Sequence, residues 1–392
     1  LSRFTGYKTF PRRLHPLRIT LKRCNPFYPW KVMLDNKSLE IMKGLMEAFG
    51  PSGFEREVNQ IVKRHMEGVA DEVLTDRLGT VAFRLDGDGP TVLLTGHTDE
   101  VGFIVSSVSD EGYLSFNQLG GWWDQVLLAQ RVVVRGRKGD IHGVIASKPP
   151  HILPQDERNK VVEKRNMFID VGACSKEEVE EAGVRVGDPV VPWSPFSLIQ
   201  DGKVAMAKAF DDRIGAFVFM EAMRRIKEQG VAHPNVIVGA ATVQEEVGLR
   251  GAQTIAHAVE PDVSIVLEVD IAGDVPGIKP SEALTKMGKG PGLITYDGSM
   301  IPNQPFKEFV VETARQAQIP LQLSQMSGGG TDAGKIHVSR EGCPSVVITV
   351  PTRHIHSHVG LLSLKDTENA VRLVVELLKR LDRKTVESFT NL

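Results

Sequence analysis

From Lys37 onward the apolar residues Leu39, Ile41, Met42, Leu45, Met46 and Phe49 recur at helical spacing and stop at "GPSG". That period predicts an amphipathic helix with a glycine-proline stop, and a second helix follows over Glu55 to Glu67. Strand-like runs come next in "EVLTDRLGTVAFRL" and "TVLLTGH", so Asp35 to about Phe103 reads as α, α, β, β, β. The texture then changes to short β-rich pieces separated by glycines: "GYLSFNQLGG", "QRVVVRGRKGDIHGVIAS", "MFIDVGA" and "VRVGDPVVPW". Regular short strands with turn signals predict a small barrel or sandwich. Neither flank shares the pattern, so residues 105–207 are read as a β-barrel domain inserted into another. After Phe210 long helical patterns return ("DRIGAFVFMEAMRRIKEQG", "QPFKEFVVETARQAQ", "DTENAVRLVVELLKRL") and alternate with apolar strands ("PNVIVGAATV", "VSIVLEV", "PSVVITV"). Helix and strand in alternation predict a three-layer α/β/α host domain, assembled from residues 34–104 and 208–392.

Composition narrows the class. At 392 residues the chain is longer than one hydrophobic core usually organises, consistent with two folded units. With 41% hydrophobic and 24% charged residues it is a soluble globular type, and a net charge of −2 exerts no pull toward nucleic acid or an anionic membrane. No apolar run approaches the ~20 residues that cross a bilayer; the best is "NVIVGAATV". Neither nucleic acid nor membrane is therefore an expected partner. Cys24, Cys174 and Cys343 are odd in number and widely spaced, which fits the reducing cytoplasm better than a disulfide framework. The first 34 residues hold eight Lys or Arg and no acid. Such a composition resembles a transit peptide, and it equally fits translated upstream sequence with the start at Met33. Residues 1–33 are accordingly set apart as a basic extension, non-native or disordered.

The chemistry gathers where elements end. His97 and Asp99 follow the strand in "LLTGHTDEVGF", and "AFDDRIG" puts Asp211 and Asp212 at the head of a helix. Glu245 and Glu246 in "TVQEEVG" follow a second strand, Asp270 in "SIVLEVD" closes a third, and His354, His356 and His358 in "RHIHSH" follow the last. Taken singly each has a plain structural reading: a hydrogen-bonded His and Asp, a helix cap, a solvated acidic pair, a polar loop. Taken together they deliver imidazoles and carboxylates to one edge of a sheet, the donor mixture of hydrolytic zinc or cobalt sites.

"GHTDEVGF", "KAFDDRIG", "TVQEEVGLRGA", "VDIAGDVPG", "GGGTDAG" and "RHIHSHVG", in that order, resemble the TET-type dinuclear metallo-aminopeptidases, the family of glutamyl aminopeptidase and of proteins labelled endoglucanase M. The resemblance runs from about Asp35 to the C-terminus and implies a phosphorylase/hydrolase-like three-layer fold with an inserted barrel. It implies two divalent ions per subunit, zinc or cobalt, with His97 and Asp270 holding one, Glu246 and His356 the other, and Asp211 bridging. Glu245 would be the general base, and Asp99 would orient His97 by accepting from its second nitrogen. Glu100 has no part in that scheme and is read as solvated or as holding a neighbouring loop. The family pattern often has asparagine at the position of Asp212, tyrosine at His354 and proline at His358, so the bridge and the last ligand rest on alignment. The implied activity is release of the N-terminal residue from short peptides by a homo-oligomer, a dodecamer in the family's habit.

Two other functions compete. A glycoside hydrolase acting on β-glucan or xylan would use two carboxyl groups facing each other across a sugar without metal, and Trp122 and Trp123 in the β domain are its candidate platforms. A non-catalytic binding or assembly protein would keep the fold around a dead site.

Overall fold

The computed structural model describes residues 34–326 and 328–390; the basic extension 1–33 lies outside the described residues. The two predicted N-terminal helices form at Asn36–Glu47 and Arg56–Met66. The first is capped by Asp35, whose carboxylate accepts from the Ser38 amide, and its apolar stripe Ile41, Met42, Leu45 and Met46 is buried.

A large mixed sheet runs, in spatial order, through Glu72–Thr75, Val81–Leu85, Val236–Thr242, Thr91–His97, Val263–Ile271, Ser345–Arg353, Gly360–Ser363, Val204–Ala207 and Ser197–Ile199. Its centre is parallel: Thr91–His97 lies between Val236–Thr242 and Val263–Ile271, and Val263–Ile271 pairs in turn with Ser345–Arg353. Both faces are covered, which is why these strands read as continuous apolar runs. On one face Val92, Leu94, Ile265, Leu267, Val346 and Ile348 meet the helices Asn36–Glu47, Phe210–Gln229 and Leu364–Leu378. On the other, Leu93, Val238, Val266 and Val347 meet Arg250–Val259 and Ala333–Ile336. The strict alternation of neighbouring residues between two cores produces three layers.

Phe210–Gln229 is the central helix, with Phe217, Phe219 and Met223 wholly buried. Each such side chain contributes about 1.5–3 kcal/mol by leaving water. The helix crosses the strand Thr91–His97 so closely that a Cβ on Gly96 would lie 2.2 Å from the Ala216 nitrogen. Glycine at 96 is thus a packing requirement of the strand end that carries His97.

The inserted unit is a closed barrel of Gly102–Val108, Leu114–Leu119, Phe168–Asp170, Gly139–Ala146, Arg131–Gly136 and Pro189–Pro192. Strand pairing sets its limits differently from the expected 105–207. The barrel begins at Gly102, while Ser197–Ile199 and Val204–Ala207 join the edge of the large sheet. A short β-rich stretch looks alike in either sheet; only its partner decides. Among the described residues no helix is long and apolar enough to cross a membrane.

Candidate active site

His97 is the last residue of its strand and pairs in register with Thr242, just beyond which the turn with Glu245 and Glu246 begins. Val266 pairs with Thr95, so the same register carried one side-chain repeat further sets Glu268 level with His97. His356 follows Ser345–Arg353 in a loop where His354 and His356 hold left-handed backbone, φ +63 and +51. Non-glycine residues seldom adopt that conformation, and those that do collect at functional sites.

Asp211 and Asp212 open the central helix with non-helical dihedrals. The Asp212 carboxylate accepts from the Gly215 amide at 3.0 Å and from the His97 amide at 3.1 Å. It is the helix cap, and it ties the helix to the strand end. Asp211 is left free for the cluster. Its Oδ1 lies 3.2 Å from His97 Nε2 and its Oδ2 3.1 Å from His356 Nε2. Glu245 Oε2 and Glu268 Oε2 stand 3.8 and 3.9 Å from His97 Nε2, and Glu246 Oε1 stands 3.5 Å from His356 Nε2.

Four carboxylates therefore surround two imidazoles. No Lys or Arg pairs with any of the four among the described residues, and the buried Glu246 Oε1 has no hydrogen-bond partner. An excess of buried negative charge with an orphaned oxygen fits a cation. Donor atoms of His97, Asp211 and Glu246 lie within 4.8 Å of one another, and so do those of His97, Asp212 and Glu268. Because both Asp212 oxygens already serve backbone amides, Asp211 is the better donor on that side as well.

The charges distort one another's titration. Burial pushes the Glu245 and Glu268 carboxyls well above their usual range, and it raises Glu246 to about 8 with the Asp211 charge adding to the effect. Burial also works against protonated histidine, but for His356 the Asp211 hydrogen bond and nearby acids outweigh it and raise the pKa to about 10. For His97 burial is likewise outweighed, by Glu245, Asp211, Asp99 and Glu268. Burial opposes ionisation of Asp211, yet hydrogen bonds with His356 and His97 hold its carboxyl well below the usual value.

His97, Asp211, Glu245, Glu246 and His356 are thus brought together as the sequence suggested. Asp270 is not. It shares a strand face with Glu268 but lies one repeat beyond, where Thr285 Oγ1 donates to it at 3.1 Å. Glu268 stands where Asp270 was expected, and the signal for it was an acid within a strand buried on both faces. Asp99 departs in detail. His97 Nδ1 bonds the Asp99 backbone carbonyl at 3.1 Å, with the carboxylate 3.5 Å away. That carboxylate accepts from Ser52 Oγ at 2.7 Å and from the Glu245 and Glu246 amides at 3.0 and 3.1 Å, so it orients the acidic turn as much as the imidazole.

Glu100 is buried between Lys208 and Arg213, not solvated. His358 is buried against Trp122 and His354 is exposed, leaving His356 as the histidine of that loop that reaches the cluster. Trp122 is itself buried, its Nε1 donating to the Gly102 carbonyl, which removes it as a sugar platform. The barrel does reach the site: the Gly121 carbonyl accepts from His356 Nδ1 at 2.8 Å and thereby turns Nε2 toward Asp211.

A parallel sheet with imidazoles and carboxylates converging at its C-terminal edge is the layout of an α/β enzyme, and the cluster there has the donors to hold a cation. The chain belongs to the M42 glutamyl aminopeptidase family, whose sequence profile matches residues 79–373. A TET aminopeptidase from the marine sediment archaeon Thaumarchaeota archaeon SCGC AB-539-E09 is 76% identical, with a TM-score of 0.90 over 91% of this chain and 99% of that one. Lysyl aminopeptidase of Pyrococcus furiosus is 34% identical over 87% of this chain and 97% of its own length. The Pyrococcus horikoshii TET1 peptidase, described as assembling into a tetrahedron or a large octahedral shell, is 30% identical with a TM-score of 0.77, covering 88% and 100% of the two chains. A Thermotoga maritima structure titled endoglucanase is also 30% identical, with a TM-score of 0.71 over 89% and 99%.

Proposed function

We propose that this protein is a dinuclear metal-dependent aminopeptidase that releases the N-terminal residue of short peptides. The observation that carries the reading is the Asp211 carboxylate, with one oxygen facing His97 and the other facing His356. On this reading His97, Asp211 and Glu268 hold one divalent cation, and Asp211, Glu246 and His356 hold a second. Glu268 thereby takes the place first given to Asp270. Zinc or cobalt suits this mixture of imidazole and carboxylate donors. Bound there, such ions would lower the pKa of a water toward neutrality and would polarise the scissile carbonyl. Glu245, buried beside His97 in the same cluster, would take the proton of the attacking water and return it to the leaving amine. Asp99 holds the turn that aims Glu245, and Gly121 holds the ring of His356. We further propose a homo-oligomer working in the cytoplasm; the shell-forming Pyrococcus horikoshii relative supports the assembly.

The glucanase reading has one relative's title in its favour. Against it, the acids cluster tightly around two imidazoles, whereas a glycosidase pair stands about 5–9 Å apart across its sugar. Hydrolysis of a free tripeptide, its N-acetylated form and carboxymethylcellulose separates the readings. Release of the first residue from the free tripeptide alone is expected. Cleavage of the cellulose derivative with none of either peptide would reverse the assignment.

A further inference from the structure

The cleft above the cluster has about 490 Å³ of space. Its charged lining residues are His97, Asp211, Glu245, Glu246, Glu268 and His356, all of them members of the cluster itself. Apart from Thr331, which is buried and donates its hydroxyl to Asp297 at 3.2 Å, the rest of the wall is apolar or glycine, chiefly Leu249, Ile271, Met326 and Ile355 with Gly328, Gly329 and Gly330 beside them. Ile271 is 42% exposed there, a large apolar side chain presented to open space at the end of the strand that carries Glu268. No Lys or Arg lines the cleft among the described residues.

We propose that the cleft selects uncharged apolar N-terminal residues of the leucine or methionine type and discriminates against glutamate and lysine. The inference rests on the aminopeptidase reading and names the substrate class of that site. The family name says glutamyl and one relative's says lysyl, so membership alone leaves the side chain open. With both histidines occupied as metal ligands, a glutamyl carboxylate entering this cleft gives up its water and meets carboxylates and aliphatic carbon, with no Lys or Arg among the described lining residues to pair with it. A lysyl ammonium finds acids, but only those that hold the cations, and so enters in competition with like charge. A leucyl side chain has no such cost. Each methylene it buries against Ile271, Met326, Leu249 or Ile355 strengthens binding roughly fourfold.

The test uses the full-length, metal-loaded protein and four p-nitroanilides, those of leucine, methionine, glutamate and lysine. The kcat/KM for leucine and methionine is expected to exceed that for glutamate and lysine by roughly tenfold or more. Ile271→Arg should lower the leucine-to-glutamate ratio by a similar factor with metal content unchanged, and Met326→Arg provides the same comparison from a second strand end that lines the cleft. Preference for the glutamyl or lysyl substrate would overturn the proposal, as would a ratio unmoved by either substitution. Cleavage of none of the four would sink the aminopeptidase reading itself, and this inference with it.

Discussion

At the scale of single residues, the account turns on adjacent or near-adjacent acids given different tasks by their surroundings. Asp211 and Asp212 are neighbours, yet one faces two imidazoles and the other two backbone amides. Glu268 and Asp270 share a strand face, yet one reaches His97 and the other Thr285. Removing a ligand should release metal, whereas removing the base should not. Glu245→Gln is expected to keep its metal and lose about 10²-fold or more in kcat. Glu268→Gln and Glu246→Gln should each lose metal, and Asp270→Asn should lose none. Metal analysis of the purified variants checks the series, and equal metal loss from Glu268→Gln and Asp270→Asn would remove the distinction drawn between them. The sequence announced the acids but not their directions. "SIVLEVD" reads as an apolar run with an acid at its end, and nothing in that string says that Glu268, one repeat earlier, is the residue level with His97.

At the scale of elements, the site depends on how tightly the central helix lies against the strand that ends in His97. Gly96 allows that approach, because its missing Cβ leaves room for the backbone of Gly215 and Ala216. Gly96→Ala is expected to destabilise the protein by about 1–3 kcal/mol or more, since the obstruction is backbone and cannot swing aside. Urea unfolding at equilibrium measures it. A change within about 0.5 kcal/mol, the usual range for a surface substitution, would show that the helix has slack. The helices and strands of the host domain were legible because apolar residues recur at helical period or run unbroken through strands buried on both faces. The end of the barrel was not, since Val204–Ala207 could pair with barrel strands or with Gly360–Ser363, and only long-range pairing separates the two. For the same reason the bond between Gly121 and His356 had no sequence signal.

At the scale of the whole molecule, the cluster makes metal-free stability depend on pH. Glu246 at about 8, with Glu245, Glu268 and Asp212 well above their usual range, holds protons in the folded state that the unfolded chain has released by neutrality. His97 and His356, both raised, act in the same direction above the ordinary histidine value. A folded state that binds more protons loses stability as pH rises, so between pH 6.5 and 8 the metal-free protein should become less stable. The lowered Asp211 titrates below this window, and the lowered His358, at about 4, opposes the trend only in the lower part of it, until the unfolded imidazole has lost its proton about one pH unit above 6.5, one group against the several raised ones. The urea midpoint at the two pH values reads the effect, and a midpoint that rises toward pH 8 would contradict it. Divalent metal should reverse the trend, because binding takes the deprotonated ligands and releases their protons.

The most direct measurement of the central claim joins metal stoichiometry to turnover. The protein is stripped with a chelator, shown by mass spectrometry to be metal-free, and titrated with cobalt while release of the first residue from a leucyl peptide is followed. The account predicts no turnover in the stripped protein, and activity that returns as cobalt binds and reaches its plateau at two ions per chain. Full turnover by protein verified to hold no metal would contradict it.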